Sequence, residues 1–61
     1  MTNYEITYKA RLDEMLDRVI RKYGYEHENT IYFARLVEKY YDIPNYTNRE
    51  KIEKIFKGLV K

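Results

Sequence analysis

The sequence predicts an all-α fold, a small bundle of three helices. Three observations carry that reading. Apolar residues recur at steps of three and four in three separate segments. The breaks between segments fall at Gly24 and at the run Asp42-Ile43-Pro44-Asn45. No stretch alternates apolar and polar residues long enough to make a strand, and the nearest, Tyr4-Glu5-Ile6-Thr7-Tyr8, would have no partner strand.

The first helix is expected over about residues 4–23. Tyr4, Tyr8, Leu12, Met15, Leu16, Val19 and Tyr23 fall on one stripe, with Ile20 just beyond its edge. Thr2 or Asn3 can cap its start, and Gly24 can take the left-handed conformation that ends it. Arg21 and Lys22 suit the negative end of the helix dipole, and Glu14–Arg18 and Asp17–Arg21 are pairs four apart. The second helix is expected over about residues 29–41, with Phe33, Leu36, Val37 and Tyr40 at the centre of its stripe and Ala34 and Tyr41 at one edge. His27, Glu28 and Asn29 are each able to cap it, and Asp42 stands before an Ile-Pro pair that disfavours further helix.

The third helix is expected over about residues 48–60. It opens on Thr47-Asn48-Arg49-Glu50, which has the spacing of a capping box. Ile52, Ile55, Phe56 and Leu59 form its stripe, with Val60 at the edge, while Glu50–Lys54 and Glu53–Lys57 support its outer face. Gly58 weakens the last turn by about 1 kcal/mol relative to alanine. The loops are expected to run to about six residues. The predicted core is Tyr8, Leu12, Met15, Leu16, Val19, Phe33, Leu36, Val37, Tyr40, Ile52, Ile55, Phe56 and Leu59.

Size limits what such a bundle can do. At 61 residues the chain holds one domain, 1–61. There is no cysteine, so no disulfide or thiolate zinc site can staple it, and its stability should lie at roughly 3–9 kcal/mol. Three short helices enclose little pocket volume. The chain has no serine, one histidine and two isolated glycines, so no nucleophile–base pair or phosphate-binding glycine loop stands out. The expectation is a non-enzymatic protein without a cofactor.

His27, flanked by Glu26 and Glu28, lacks the converging ligands a metal needs, so no metal site is expected and a capping or loop role is. The carboxylates Asp13, Glu14 and Asp17 have Arg18 and Arg21 at salt-bridge spacing and read as a solvated charged face. No apolar run approaches the ~20 residues of a membrane span, and no signal-peptide pattern follows Met1. Together with the absence of cysteine, this suggests a cytoplasmic protein without a membrane partner. Lys, Ile, Tyr, Asn and Phe supply 27 residues, a bias towards AT-rich codons that hints at a bacterial or phage origin.

The strongest compositional signal is eight tyrosines against two phenylalanines and no tryptophan. Tyr8, Tyr23, Tyr40 and Tyr41 can enter the core if each hydroxyl reaches its rim. Tyr25 and Tyr46 fall in expected loops, and Ile31 and Tyr32 lie off the stripe of the second helix. Tyrosine is enriched at protein interfaces, so Tyr25, Ile31, Tyr32 and Tyr46 are the candidate interface of a protein-interaction or regulatory module, with a protein partner or a homodimer as the expected assembly.

The alternative is a small nucleic-acid-binding regulator. Its phosphate contacts would come from Arg11, Arg18 and Lys22 on the first helix and from Lys51, Lys54, Lys57 and Lys61 on the third. The net charge of +2 argues against a dominant basic surface. The expected connection from Asp42 to Thr47 is longer than that of a helix-turn-helix, and only Asn48 and Arg49 are suited to base edges. No motif is specific enough to name a family.

Overall fold

The computed structural model describes the backbone of residues 3–61 and the side chains of residues 8–61. The fold is the predicted three-helix bundle. Helix α1 spans Asn3–Tyr23, α2 spans Glu28–Asp42 and α3 spans Tyr46–Leu59. Tyr4–Tyr8 is helical from the start, which removes the strand alternative. Thr2 and the side chains of Asn3 and Tyr4, and with them the proposed capping contacts, lie outside what is described. At ~1.5 Å per residue, α1 runs the length of the molecule, whose longest extent is 32 Å.

Three side-chain bridges show that α1 and α3 run parallel. Arg49 lies over the Tyr8 ring, 4.6 Å from its centroid, near one end. In the middle, the Arg11 Nε donates to Glu53 Oε1 at 3.0 Å and its Nη2 to Glu53 Oε2 at 3.3 Å. At the other end, the Tyr23 hydroxyl donates to the Leu59 carbonyl at 2.7 Å. Helix α2 runs antiparallel to both. Its C-terminal Tyr40 packs edge-on against Tyr8 with centroids 5.2 Å apart, and its Phe33 meets Phe56 of α3 at 5.9 Å.

Ten side chains form the core: Tyr8, Leu12, Met15, Val19, Phe33, Leu36, Val37, Tyr40, Ile52 and Phe56. All ten belong to the predicted set. Leu16, Ile55 and Leu59, also expected in the core, are only partly buried and pack on its rim beside Tyr23 and Val60. Three helices of this girth have a thin interior, so residues at the stripe edges stay half in water. Tyr41 departs further: it is 44 % exposed rather than absorbed. Thr30 is the reverse case, a polar residue buried in the core at 4 % exposure.

The helix boundaries show where local chemistry outweighed the expected signals. Gly24 ends α1 as expected: its φ is +99°, in the left-handed region, and its amide donates to the Ile20 carbonyl at 2.7 Å. Of the three candidates to start α2, His27 is the N-cap; its Nδ1 accepts from the Asn29 amide at 3.0 Å, and its ring packs on Tyr23 with centroids 4.8 Å apart.

At α3 the expected capping box does not form. Asn45 is the N-cap instead, in extended conformation, with its side-chain oxygen accepting from the Asn48 amide at 2.8 Å. Thr47 is thereby already inside the helix, and Asn48 stands where the box would need its glutamate. The Asn48 side chain donates to the Ile43 carbonyl at 2.8 Å, and the Asn45 amide turns back to that same carbonyl across Pro44 at 2.8 Å. Starting α3 two residues early puts Tyr46 in a helix rather than a loop. It also shortens the α2–α3 connection to residues 43–45, while the cap at His27 starts α2 at Glu28 and leaves residues 24–27 between α1 and α2, both under the expected six.

Candidate functional site

The helix order leaves two kinds of flank around α1. Towards α3 the flank is charged: a groove lined by Arg11, Glu14, Met15, Asp17, Arg18, Arg21 and Phe56, with Arg21 paired to Asp17 at 2.9 Å. The Arg11 guanidinium, held by the hydrogen bonds it donates to Glu53 and by that carboxylate's charge, is pushed above the ordinary arginine range. The expected Glu53–Lys57 support is therefore replaced by an ion pair that ties α3 to α1.

Towards α2 the flank is apolar. Leu16 and Ile20 of α1 meet Thr30, Ile31 and Ala34 of α2 along a groove closed at one end by Tyr25 and rimmed by Arg35 and Glu38. Its volume is about 370 Å³. The phenol of Tyr25 is 78 % exposed and Ile31 is 44 % exposed. The Thr30 hydroxyl has no hydrogen-bond partner among the described residues. Further along the same flank, Lys9, Tyr40, Tyr41 and Pro44 line a second hollow, with the Lys9 ammonium 5.8 Å from the Tyr41 ring centroid. Burial and the nearby Asp13 carboxylate raise the Tyr41 hydroxyl above its ordinary pKa.

The four candidate interface residues are thus not one surface. Tyr25 and Ile31 share the α1–α2 groove. Tyr46, 74 % exposed, sits at the opposite end of the molecule beside Arg49, Glu50 and Glu53. Tyr32 is exposed but, turned ~100° from Ile31, does not line the α1–α2 groove. Two exposed apolar residues escaped the sequence reading, Tyr41 and Ile43, the latter 53 % exposed. Tyr41 lies at the stripe edge, and its exposure depends on how far α1 covers that edge. Ile43 follows from the early start of α3: its carbonyl closes the tight turn through Pro44 and Asn45 while its side chain is left in water.

The seven candidate phosphate-contacting residues also divide. Arg11 is committed to Glu53. Arg18 faces the mixed-charge groove with Glu14 and Asp17. Lys22 donates to the Lys61 carbonyl at 3.3 Å, which brings those two residues to one end of the bundle, and its ammonium lies 5.5 Å from the Tyr23 ring centroid. Lys54 and Lys57 share one outward face of α3, Lys51 falls on another, and Lys61 lies beyond the end of the helix. Asn48 and Arg49, the residues suited to base edges, are engaged in the α3 cap and over the Tyr8 ring.

Among the described residues no three histidine, aspartate or glutamate side chains come together to hold a metal ion, and no helix is long and apolar enough to cross a membrane. No protein-family model, curated protein or solved structure matches this chain.

Proposed function

We propose that this chain is a protein-interaction module that acts by binding rather than by catalysis, with the α1–α2 groove as its docking surface. One observation supports this reading above the others. Tyr25 stands largely and Ile31 partly in water above an apolar floor of Leu16, Ile20 and Ala34, while the opposite flank of α1 is bridged by polar side chains. A partner that covers Tyr25 and Ile31 gains apolar burial at about 25 cal/mol per Å², and a charged rim supplies orientation. The test is site-specific photo-cross-linking in cells, with the reactive side chain placed at position 25, 31 or 51. Products at 25 and 31 and none at 51 are expected. A chain that cross-links equally at all three positions, or at none, overturns the assignment of this face.

The nucleic-acid reading retains two supporting features. The connection over residues 43–45 has the length of a helix-turn-helix turn, and Lys54 and Lys57 share the outward face of α3. Against it stand the commitments of Arg11, Asn48 and Arg49. Such binding would be strongest at low salt and would weaken steeply as salt rises. A mobility shift with mixed-sequence DNA or RNA at low ionic strength, lost on Lys54→Glu/Lys57→Glu, would favour it over the groove; its absence at low salt removes it.

A further inference from the structure

The exposed flank of α2 carries a seam that complements itself. Ile31, Ala34, Glu38 and Tyr41 recur at i, i+3, i+7 and i+10, the spacing of two helices packed side by side. The seam spans ten residues, about 15 Å. Its two large members, Ile31 and Tyr41, are each 44 % exposed and open the two hollows of the α1–α2 flank. Between them stand Arg35 and Glu38, both exposed, and neither takes part in an ion pair among the described residues. In the order arginine then glutamate they are also poorly placed to pair within one helix.

We infer that the occupant of this groove is a second copy of the chain, docked α2 against α2 in antiparallel fashion about a two-fold axis. The inference rests on the interaction-module reading and names its partner. A two-fold interface requires that if residue i meets residue j of the partner, then j meets i. An axis passing near residues 36 and 37 satisfies this with the seam as it stands. Arg35 falls beside the partner's Glu38 and Glu38 beside the partner's Arg35. Ile31 falls beside the partner's Tyr41, and the reverse. A parallel arrangement would instead set Arg35 against the partner's Arg35 and Glu38 against the partner's Glu38, so charge selects the antiparallel one. Tyr25, Leu16 and Ile20 extend the apolar edge that the mate's α2 would cover.

The experiment is sedimentation of the full chain across a concentration series up to about 1 mM, where even an affinity near −4 kcal/mol registers. Three proteins are compared: the wild type, Arg35→Glu and Glu38→Arg. Helical circular dichroism confirms that each variant, altered only at an exposed site, remains folded. The wild type is expected to dimerise, and each variant alone to associate at least tenfold more weakly, because each faces like charges across the axis. An equimolar mixture of the two variants restores attraction at both pairs, and dimers should return. A mixture no better than either variant alone overturns this arrangement. A wild type that stays monomeric throughout overturns the second copy as occupant. Continued cross-linking of that monomer to a different protein at position 25 or 31 leaves the interaction-module reading intact, whereas loss of cross-linking removes both.

Discussion

The two flanks of α1 are built from the same helix yet close in opposite ways. Against α3 the contact is strapped at three levels by polar groups: Arg49 over Tyr8, Arg11 on Glu53, and the Tyr23 hydroxyl on the Leu59 carbonyl. Against α2 no such strap is present among the described residues of the middle of the flank, and its apolar side chains continue outward into the groove at Leu16, Ile20, Ile31 and Ala34. A small bundle cannot surround every apolar edge. It can finish an edge with hydrogen bonds and charge, or leave it for something else to cover. The first flank is therefore where stability should be sensitive to polar substitutions, and the second is where association should be.

The sharpest test of the common foundation is Phe33→Ala. Phe33 is fully buried and touches the ring of Phe56, so its loss should cost about 3–5 kcal/mol. That is most of the roughly 3–9 kcal/mol available to a domain of this size, and both flanks should melt together in one transition. Thermal denaturation followed by circular dichroism reads it. A variant that keeps the wild-type melting temperature would mean that the flanks do not share this core.

An alkaline titration separates the flanks without changing size. Burial, with the charge of Glu53 added, pushes the Tyr8 hydroxyl up to about 12 from its ordinary 10.0. Its raised value in the folded state favours the neutral phenol, so this contribution to stability is whole below pH 10 and is lost as pH rises from about 10 towards 12. The loss approaches ~1.4 kcal/mol per pH unit within that window. Tyr8→Phe should flatten that part of the pH profile. Equal slopes for the two proteins would contradict the burial of this hydroxyl at the α1–α3 strap.

Hydroxyl groups on the two flanks should respond with opposite signs. Tyr23→Phe removes the donor to the Leu59 carbonyl and should destabilise by about 0.5–1.5 kcal/mol. Thr30→Val removes a buried hydroxyl that has no hydrogen-bond partner among the described residues while keeping the side-chain shape, and should stabilise by about 1 kcal/mol. Chemical denaturation midpoints at constant m-value report both. If Thr30→Val destabilises, the groove side of the bundle depends on that hydroxyl and the contrast between the flanks fails.

Much of this was legible in the sequence, and the remainder has identifiable causes. Helical periodicity located all ten core residues because burial in a bundle follows the stripe. It overestimated Leu16, Ile55 and Leu59, because depth within a stripe depends on how neighbouring helices are set. The Thr47 box had the right spacing but lost to Asn45, whose side chain reaches the Asn48 amide while Pro44 turns the chain just ahead of it. The candidate interface was half legible. Composition and helical phase single out Tyr25 and Ile31, but their union with Leu16 and Ile20 depends on helix pairing, and Tyr46 belongs to the far end because α2 runs antiparallel to its neighbours. Pairing across helices, such as Arg11 with Glu53, has no signature in local spacing.

The smallest expected effect belongs to that ion pair, and it asks whether the α1–α3 straps act singly or together. Arg11 and Glu53 meet through two hydrogen bonds, but the Arg11 side chain is 51 % exposed, so water screens the attraction. A double-mutant cycle with Arg11→Met and Glu53→Gln should give a coupling of about 0.2–1 kcal/mol at low salt, falling as salt is raised. Repeating the cycle in the Tyr23→Phe background extends the test. Tyr23 lies three turns further along α1, so independent straps would leave the coupling unchanged within about 0.5 kcal/mol. A clear drop would mean that the hydroxyl at one end holds α3 in the register that the ion pair needs, and that the polar flank closes as a unit.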